Sequence, residues 1–370
     1  MTGNIQSIFV AVSDHGLGHV SQVVPVINEL LRRNERLLVT VQTSVNQRII
    51  ADRINAPVNF IGASADIGMI MDDALRVNVA ATMAAYKNFH SDWEERLQGE
   101  MEILPSVKPD ILLCDVPYLP LVAAKALEIP SVAMCSLNWA DILTAYVLDD
   151  HHLRSIVGVI KDSYQCASLF LQPEPSMPMS WLINRRKIGP VGVKCQDQRG
   201  EVLGQPGIPD GSRLALIALG GIEVSLPIED LPKIHKLYWV VRDGSRLGRA
   251  DVIDLDSLDL SFGNLLASVD AIITKPGYGI FVEAVSNQIP VLYFERGDWP
   301  EEPYLSNWLK EKGIGIKISG SKPDFKDIEV PLLDAMNRKK KPPLQLTGVG
   351  QAVDHIQQVF EENIINTLTE

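Results

Sequence analysis

The sequence predicts an α/β protein of two domains, each built on a parallel sheet covered on both faces. Three observations carry that expectation. Strand-length apolar runs alternate with helix-period patterns along almost the whole chain. The alternation pauses over residues 189–213, a stretch rich in Gly, Pro, Asp and Gln, and then restarts. At 370 residues the chain is also too long for one typical domain.

In order, residues 8–13 read as a buried-type strand. Residues 20–33 read as an amphipathic helix, with Val23, Val24, Ile27, Leu30 and Leu31 on one face. Residues 37–42 are the next strand, 45–53 a helix and 59–61 a weaker strand. Residues 72–104 read as largely helical, with a break. A strand over 111–114, a helix over 119–127 and a strand over 131–135 follow. A helix over 143–166 and a strand over 169–171 complete the first half. The expected boundaries are a first domain at 1–188, a linker at 189–213 and a second domain at 214–350. The second domain has strands over 214–219, 238–241, 252–255 and 271–274, with a short helix over 264–269. A final helix over 352–365, within the segment 351–370, is expected to pack back across the linker onto the first domain.

Composition narrows the function classes. The net charge of −12 argues against a nucleic-acid binder, which needs a basic surface. The basic run 338–341 is short and followed by two prolines, so it reads as a solvated loop. Cys114, Cys135, Cys166 and Cys195 have no CxxC or zinc-ligand spacing, so reduced thiols and a cytoplasmic protein are expected. Neither a signal peptide nor a membrane span is expected, since residues 1–7 are polar and no apolar run reaches spanning length. Oligomeric state is not legible.

Two glycine turns carry the candidate chemistry. Residues 275–307 read as a strand end, a glycine turn, a helix, a buried strand and an acidic loop. Pro276, Gly277 and Gly279 form the turn that opens the helix. Free N–H groups and the positive end of the helix dipole suit a phosphate there, and Glu283 lies one to two turns further on. The alternative is a βαβ connection with a glycine kept for packing. In the first half, His15, Gly16, Gly18 and His19 follow the first strand. The pattern resembles a dinucleotide turn, but the second strand ends in Gln42-Thr43-Ser44, without an acid to hold a ribose. A histidine at such a strand end is a natural general base, and a helix-capping role for His19 is the alternative. Asp115 ends a later strand, where a carboxylate could orient that imidazole; otherwise it starts a loop before Pro117. Gly220 and Gly221 repeat the turn in the second half. Asp254 and Asp256 read as an acidic doublet rather than a metal motif, and His151 and His152 as surface residues.

Together, Gly16-Leu17-Gly18-His19, the Gly220–Gly221 turn and the helix from Gly277 to Glu283 resemble glycosyltransferases of the GT-B fold. The likeness is to the bacterial peptidoglycan N-acetylglucosaminyltransferase and the plant natural-product glycosyltransferases. The segment 277–307 and the His15–His19 turn are still more similar to the glycosyltransferase-like domain fused ahead of the kinase in plant arabinokinases. The resemblance implies two Rossmann-like domains facing a central cleft. It implies transfer of a sugar from a nucleotide-diphosphate sugar, uridine-based, to an acceptor hydroxyl. His19 would be the base and Asp115 its orienting acid. Lys275, Gly277, Tyr278, Gly279, Glu283, Glu301, Glu302 and Asn307, with Gly220 and Gly221, would hold the donor, Glu283 on the ribose and Glu301 or Glu302 on the sugar. His15, Gly16 and Gly18 would line the acceptor side. Retaining relatives use two glutamates with seven residues between them, the second matching Glu283; the first would fall at Lys275, which points to inversion. No metal and no cofactor beyond the co-substrate is expected. A non-catalytic nucleotide- or sugar-binding module, or a nucleotide-sugar epimerase or hydrolase, is the alternative.

Overall fold

A computed structural model describes residues 5–147, 150–205, 207–220, 227–318 and 324–369, without the side chains of 366–369. The contacts divide the chain into two compact units. The first comprises residues through 71, 77–192 and from 347 on; the second comprises 72–76 and 193–346.

The first unit holds strands β1 (Ser7–Val12), β2 (Leu38–Gln42), β3 (Asn59–Ile61), β4 (Ile111–Asp115), β5 (Ser131–Met134), β6 (Leu169–Pro173) and β7 (Arg185–Ile188). They form one sheet in the order β3-β2-β1-β4-β5-β6-β7, with every neighbour parallel. Such a sheet is covered on both faces, which is why Ile8–Val12 and the whole of β4 are buried without alternation. The chain steps outward from β1 to β3, then returns to place β4 on the other side of β1. That reversal opens a crevice at the carboxyl ends of β1 and β4, where ligands of open α/β sheets bind.

The second unit repeats the plan with β8 (Arg213–Ile217), β9 (Leu237–Val241), β10 (Val252–Asp254), β11 (Ala271–Thr274), β12 (Val291–Phe294) and β13 (Gly315–Ile318). The order is β10-β9-β8-β11-β12-β13, again all parallel, and the reversal falls between β8 and β11.

Several expectations need correction. Residues 72–77 are not helical; the helices are Val79–Ser91 and Trp93–Val107. The Asp73 carboxylate accepts the N–H groups of Leu75 and Arg76, competing with helix formation, and Leu75 enters the core of the second unit. The expected helix over 143–166 is two, Trp139–Thr144 and His151–Tyr164, each capped by an Asx side chain, Asn138 and Asp150. The acidic loop after β12 ends early, because Pro303 in a first turn starts the helix Glu302–Lys312. Strand β7 escaped notice because Arg185, Arg186 and Lys187 give an edge strand no apolar signal.

The last helix, Gly348–Thr369, belongs to the first unit. There Arg33 pairs with Asp354 at 2.5 Å, and the Gly189 N–H donates to Gln351 Oε1 at 2.7 Å. No helix among the described residues is long and apolar enough to cross a membrane.

Candidate functional site

In the first unit, β1 runs into Ser13, and the turn Asp14–Gly16 leads to the helix Leu17–Arg33. Gly16 caps that helix at φ 79°, a conformation that favours glycine. His19 therefore sits in the first helical turn, buried at 4% exposure. Val12 is in register with Asp115 across β1 and β4, which brings the carboxylate to the same sheet edge. His19 Nδ1 lies 2.9 Å from Asp115 Oδ1. A carboxylate only accepts, so Nδ1 carries the proton and the Nε2 lone pair is the basic one. Burial pushes the Asp115 carboxyl up, and the bond to His19 opposes it.

Four residues that sequence reasoning missed complete this edge. Asp66, from the loop after β3, is fully enclosed; burial pushes its carboxyl up to about 6, against the bonds that hold it. Those bonds come from Trp139 Nε1 at 2.6 Å and Ser13 Oγ at 3.1 Å. The Trp139 ring meets His15 edge-on at 5.3 Å and His19 at 5.7 Å between centroids. His15 Nδ1 in turn accepts the Met69 N–H at 3.3 Å, which fixes that ring beside the loop carrying Asp66. Cys135 Sγ lies 3.7 Å from His19 Nδ1. Gln22 receives the Ser136 N–H at 3.1 Å and points its amide at that sulfur. The available signals were weak: one acid in a loop of small and apolar residues, and one Trp behind an Asn cap.

In the second unit, the reversal point is marked by Gly220 and Lys275. Gly220 has φ 85°, and an added Cβ would approach Lys275 Cε to 3.3 Å. Gly221 lies outside the described residues. Lys275 Nζ donates to the carbonyl of Ala74 at 3.2 Å. Burial, and then the Arg296 charge, lower the Lys275 ammonium to about 7. The helix Tyr278–Ser286 starts after Gly277, which has φ −163°. Any residue adopts that backbone, and an added Cβ would only touch Ile280 at 3.7 Å. Folding alone therefore does not demand a glycine at 277, which weighs against a pure packing role.

Tyr278 and Gly279 are buried, while Glu283 is half-buried in the second turn. Glu301 and Glu302 are buried and brace the preceding loop: Trp299 Nε1 donates to Glu301 at 3.2 Å and the Arg296 N–H to Glu302 at 2.7 Å. Arg296, another residue that sequence reasoning missed, stacks its guanidinium 3.8 Å over the Trp299 ring. Asn307 is exposed on the helix that follows. Asp254 spends its carboxylate on the N–H groups of Ser245 and Asp256. A surface hollow of about 530 Å³ lined by Cys195, Asp270 and Lys340 contains none of the expected site residues.

Solved structures share this architecture. The glycotransferase of kitacinnamycin aligns over 98% of this chain and 95% of its own, with TM-score 0.62 and 16% identity. Arabidopsis thaliana UGT89C1 complexed with UDP-L-rhamnose aligns over 97% and 100%, with TM-score 0.63 and 13% identity. CalG4, the calicheamicin glycosyltransferase, aligns over 97% and 94%, with TM-score 0.61 and 15% identity. The fold is GT-B.

Within the GT-B fold, the reversal of strand order in each unit coincides with one of the two glycine turns. No family model matches the chain. A curated protein, L-arabinokinase of Arabidopsis thaliana, is 26% identical over 316 residues, which is 83% of this chain and 30% of that protein. The chain thus spans about a third of that relative's length.

Proposed function

We propose that this chain is a glycosyltransferase that moves a sugar from a uridine-diphosphate sugar to an acceptor hydroxyl with inversion. The observation that carries the reading is the buried His19–Asp115 pair, 2.9 Å apart at the strand reversal of the first GT-B unit. His19 Nε2 takes the acceptor proton, and Asp115 holds the tautomer and stabilises the imidazolium that forms. The acceptor oxygen attacks the anomeric carbon opposite the leaving group. The donor diphosphate sits on the N-terminus of the helix after Gly277, with Glu283 on the ribose and Glu301 or Glu302 on the sugar. Lys275, held near neutrality by burial, becomes a full ammonium beside the departing diphosphate. Helix dipole, backbone amides and Lys275 supply the positive charge, so the reaction as proposed requires no metal.

One observation favours a second reading. The curated relative matched over 83% of this chain, L-arabinokinase, is named for a kinase activity and not for glycosyl transfer. A non-catalytic module of this fold would bind a nucleotide sugar without turning it over. The test is release of nucleoside diphosphate from a panel of UDP sugars, with and without candidate acceptors. A transferase releases it only with acceptor, a hydrolase without one, and an epimerase alters the sugar while it stays nucleotide-linked. Binding without any of these outcomes, across the panel, would establish the module and defeat the transferase.

A further inference from the structure

The His19–Asp115 pair has a third neighbour to which glycosyl transfer assigns no role. Cys135 directly follows β5, the strand beside β4. The strand order β1-β4-β5 therefore brings a nitrogen, an oxygen and a sulfur to successive positions on one sheet edge. His19 Nδ1 lies 2.9 Å from Asp115 Oδ1 and 3.7 Å from Cys135 Sγ. The three ligand atoms all fall within 4.8 Å of one another, and all three side chains are buried. Oδ2 of Asp115, at the same point, has no N–H or O–H partner among the described residues. We propose that His19, Asp115 and Cys135 form a binding site for a divalent cation of the zinc class.

Tetrahedral zinc bonds oxygen and nitrogen at about 2.0–2.2 Å and sulfur at about 2.3 Å, which sets its ligand atoms roughly 3.3–3.6 Å apart. The nitrogen–sulfur separation is already close to that range. The nitrogen–oxygen separation must widen by a few tenths of an ångström. A thiolate with an imidazole selects zinc or cobalt over magnesium or calcium. The carboxylate and thiolate cancel the two positive charges, which makes burial tolerable. Binding releases the thiol proton to solvent and shifts the imidazole proton from Nδ1 to Nε2, so the ring stays neutral. The Gln22 amide, 3.8 Å from the sulfur, is placed to support the thiolate.

The site has a consequence that rests on the transferase reading. A cation on Nδ1 leaves the imidazole proton on Nε2, which then donates instead of accepting. Cation binding and the base-competent tautomer exclude each other, so zinc inhibits transfer.

The test is titration of the full chain with Co²⁺ and then Zn²⁺, followed by absorbance. One Co²⁺ per chain is expected, with a thiolate-to-cobalt band in the near ultraviolet that Zn²⁺ abolishes. Cys135→Ser removes the band. Losing a ligand costs at least as much as losing a partner that orients one, so Zn²⁺ binding weakens by about 10–100-fold or more. His19→Gln weakens it similarly, whereas Cys166→Ser and Cys195→Ser keep the band. A wild-type protein without the band, or a band that survives Cys135→Ser, overturns the site. Should circular dichroism show Cys135→Ser unfolded, His19→Gln decides, and unchanged cation affinity there overturns it. None of these readouts needs turnover, so failure of the transferase reading leaves the test intact.

Discussion

His19 Nδ1 and Asp115 Oδ1 stand 2.9 Å apart although 96 residues separate them in the chain. The pair closes because β1 and β4 are parallel neighbours with Val12 opposite Asp115. General-base help contributes about 10²–10⁴ in rate. His19→Ala should therefore lower turnover by that order while leaving UDP binding nearly unchanged. Asp115→Asn should approach the same loss, because an amide no longer stabilises the imidazolium. Steady-state kinetics beside calorimetric UDP binding check both, and wild-type turnover in His19→Ala would remove the base assignment.

Gly277→Ala separates folding from binding. The glycine is neither at positive φ nor tightly packed, so the substitution should cost no more than about 1 kcal/mol, the scale of a helix N-cap change. A methyl group at the turn should still block close approach of a diphosphate and weaken UDP binding at least about tenfold. Thermal unfolding and UDP titration of the same sample decide; unaltered affinity returns Gly277 to a packing role.

Lys275 ties stability to pH. Its folded pKa is about 7, below the ordinary 10.5 of the unfolded chain. Between those values the unfolded state holds more protons, so this residue makes stability rise with pH across that window. Lys275→Met removes the dependence. Its gain over wild type should be largest below pH 7 and shrink as pH rises, by up to about 1.4 kcal/mol per unit. Denaturant unfolding from pH 6 to 9 measures this, and parallel profiles for the two proteins would contradict it.

Trp139→Phe should destabilise the first unit by about 1–3 kcal/mol, because it strips the 2.6 Å donor from an enclosed carboxyl. Part of that cost belongs to the pair. Combining Trp139→Phe with Asp66→Asn should therefore cost less than the sum of the two single changes. Additive costs in denaturant unfolding would mean the bond contributes nothing.

Much of the fold was legible because parallel strands buried on both faces read as unbroken apolar runs between helix-period segments. β4 and β11 are the clearest cases. Where a side chain competed with the backbone the reading failed, as at Asp73, which holds residues 72–77 out of the helix expected over 72–104. It failed again at β7, whose cationic residues hide an edge strand. Among the candidate residues, His19 and Asp115 in the first unit and Lys275 and Gly277 in the second stood out because each sits at a strand end or helix start with a distinctive residue type. Asp66 and Cys135 carried no such signal. Their significance comes from neighbours in other segments, Trp139 and Ser13 for one, His19 and Asp115 for the other.

The sequence by itself determined the alternation of strands and helices and the placing of both glycine turns after strands. Those are local matters of periodicity and backbone freedom. Tertiary structure alone decided that β1 lies beside β4 and β4 beside β5. Strand order is set by which apolar faces pack together across the whole sheet, and no local pattern encodes it. That order is what turns His19, Asp115 and Cys135 from three isolated residues into one cluster.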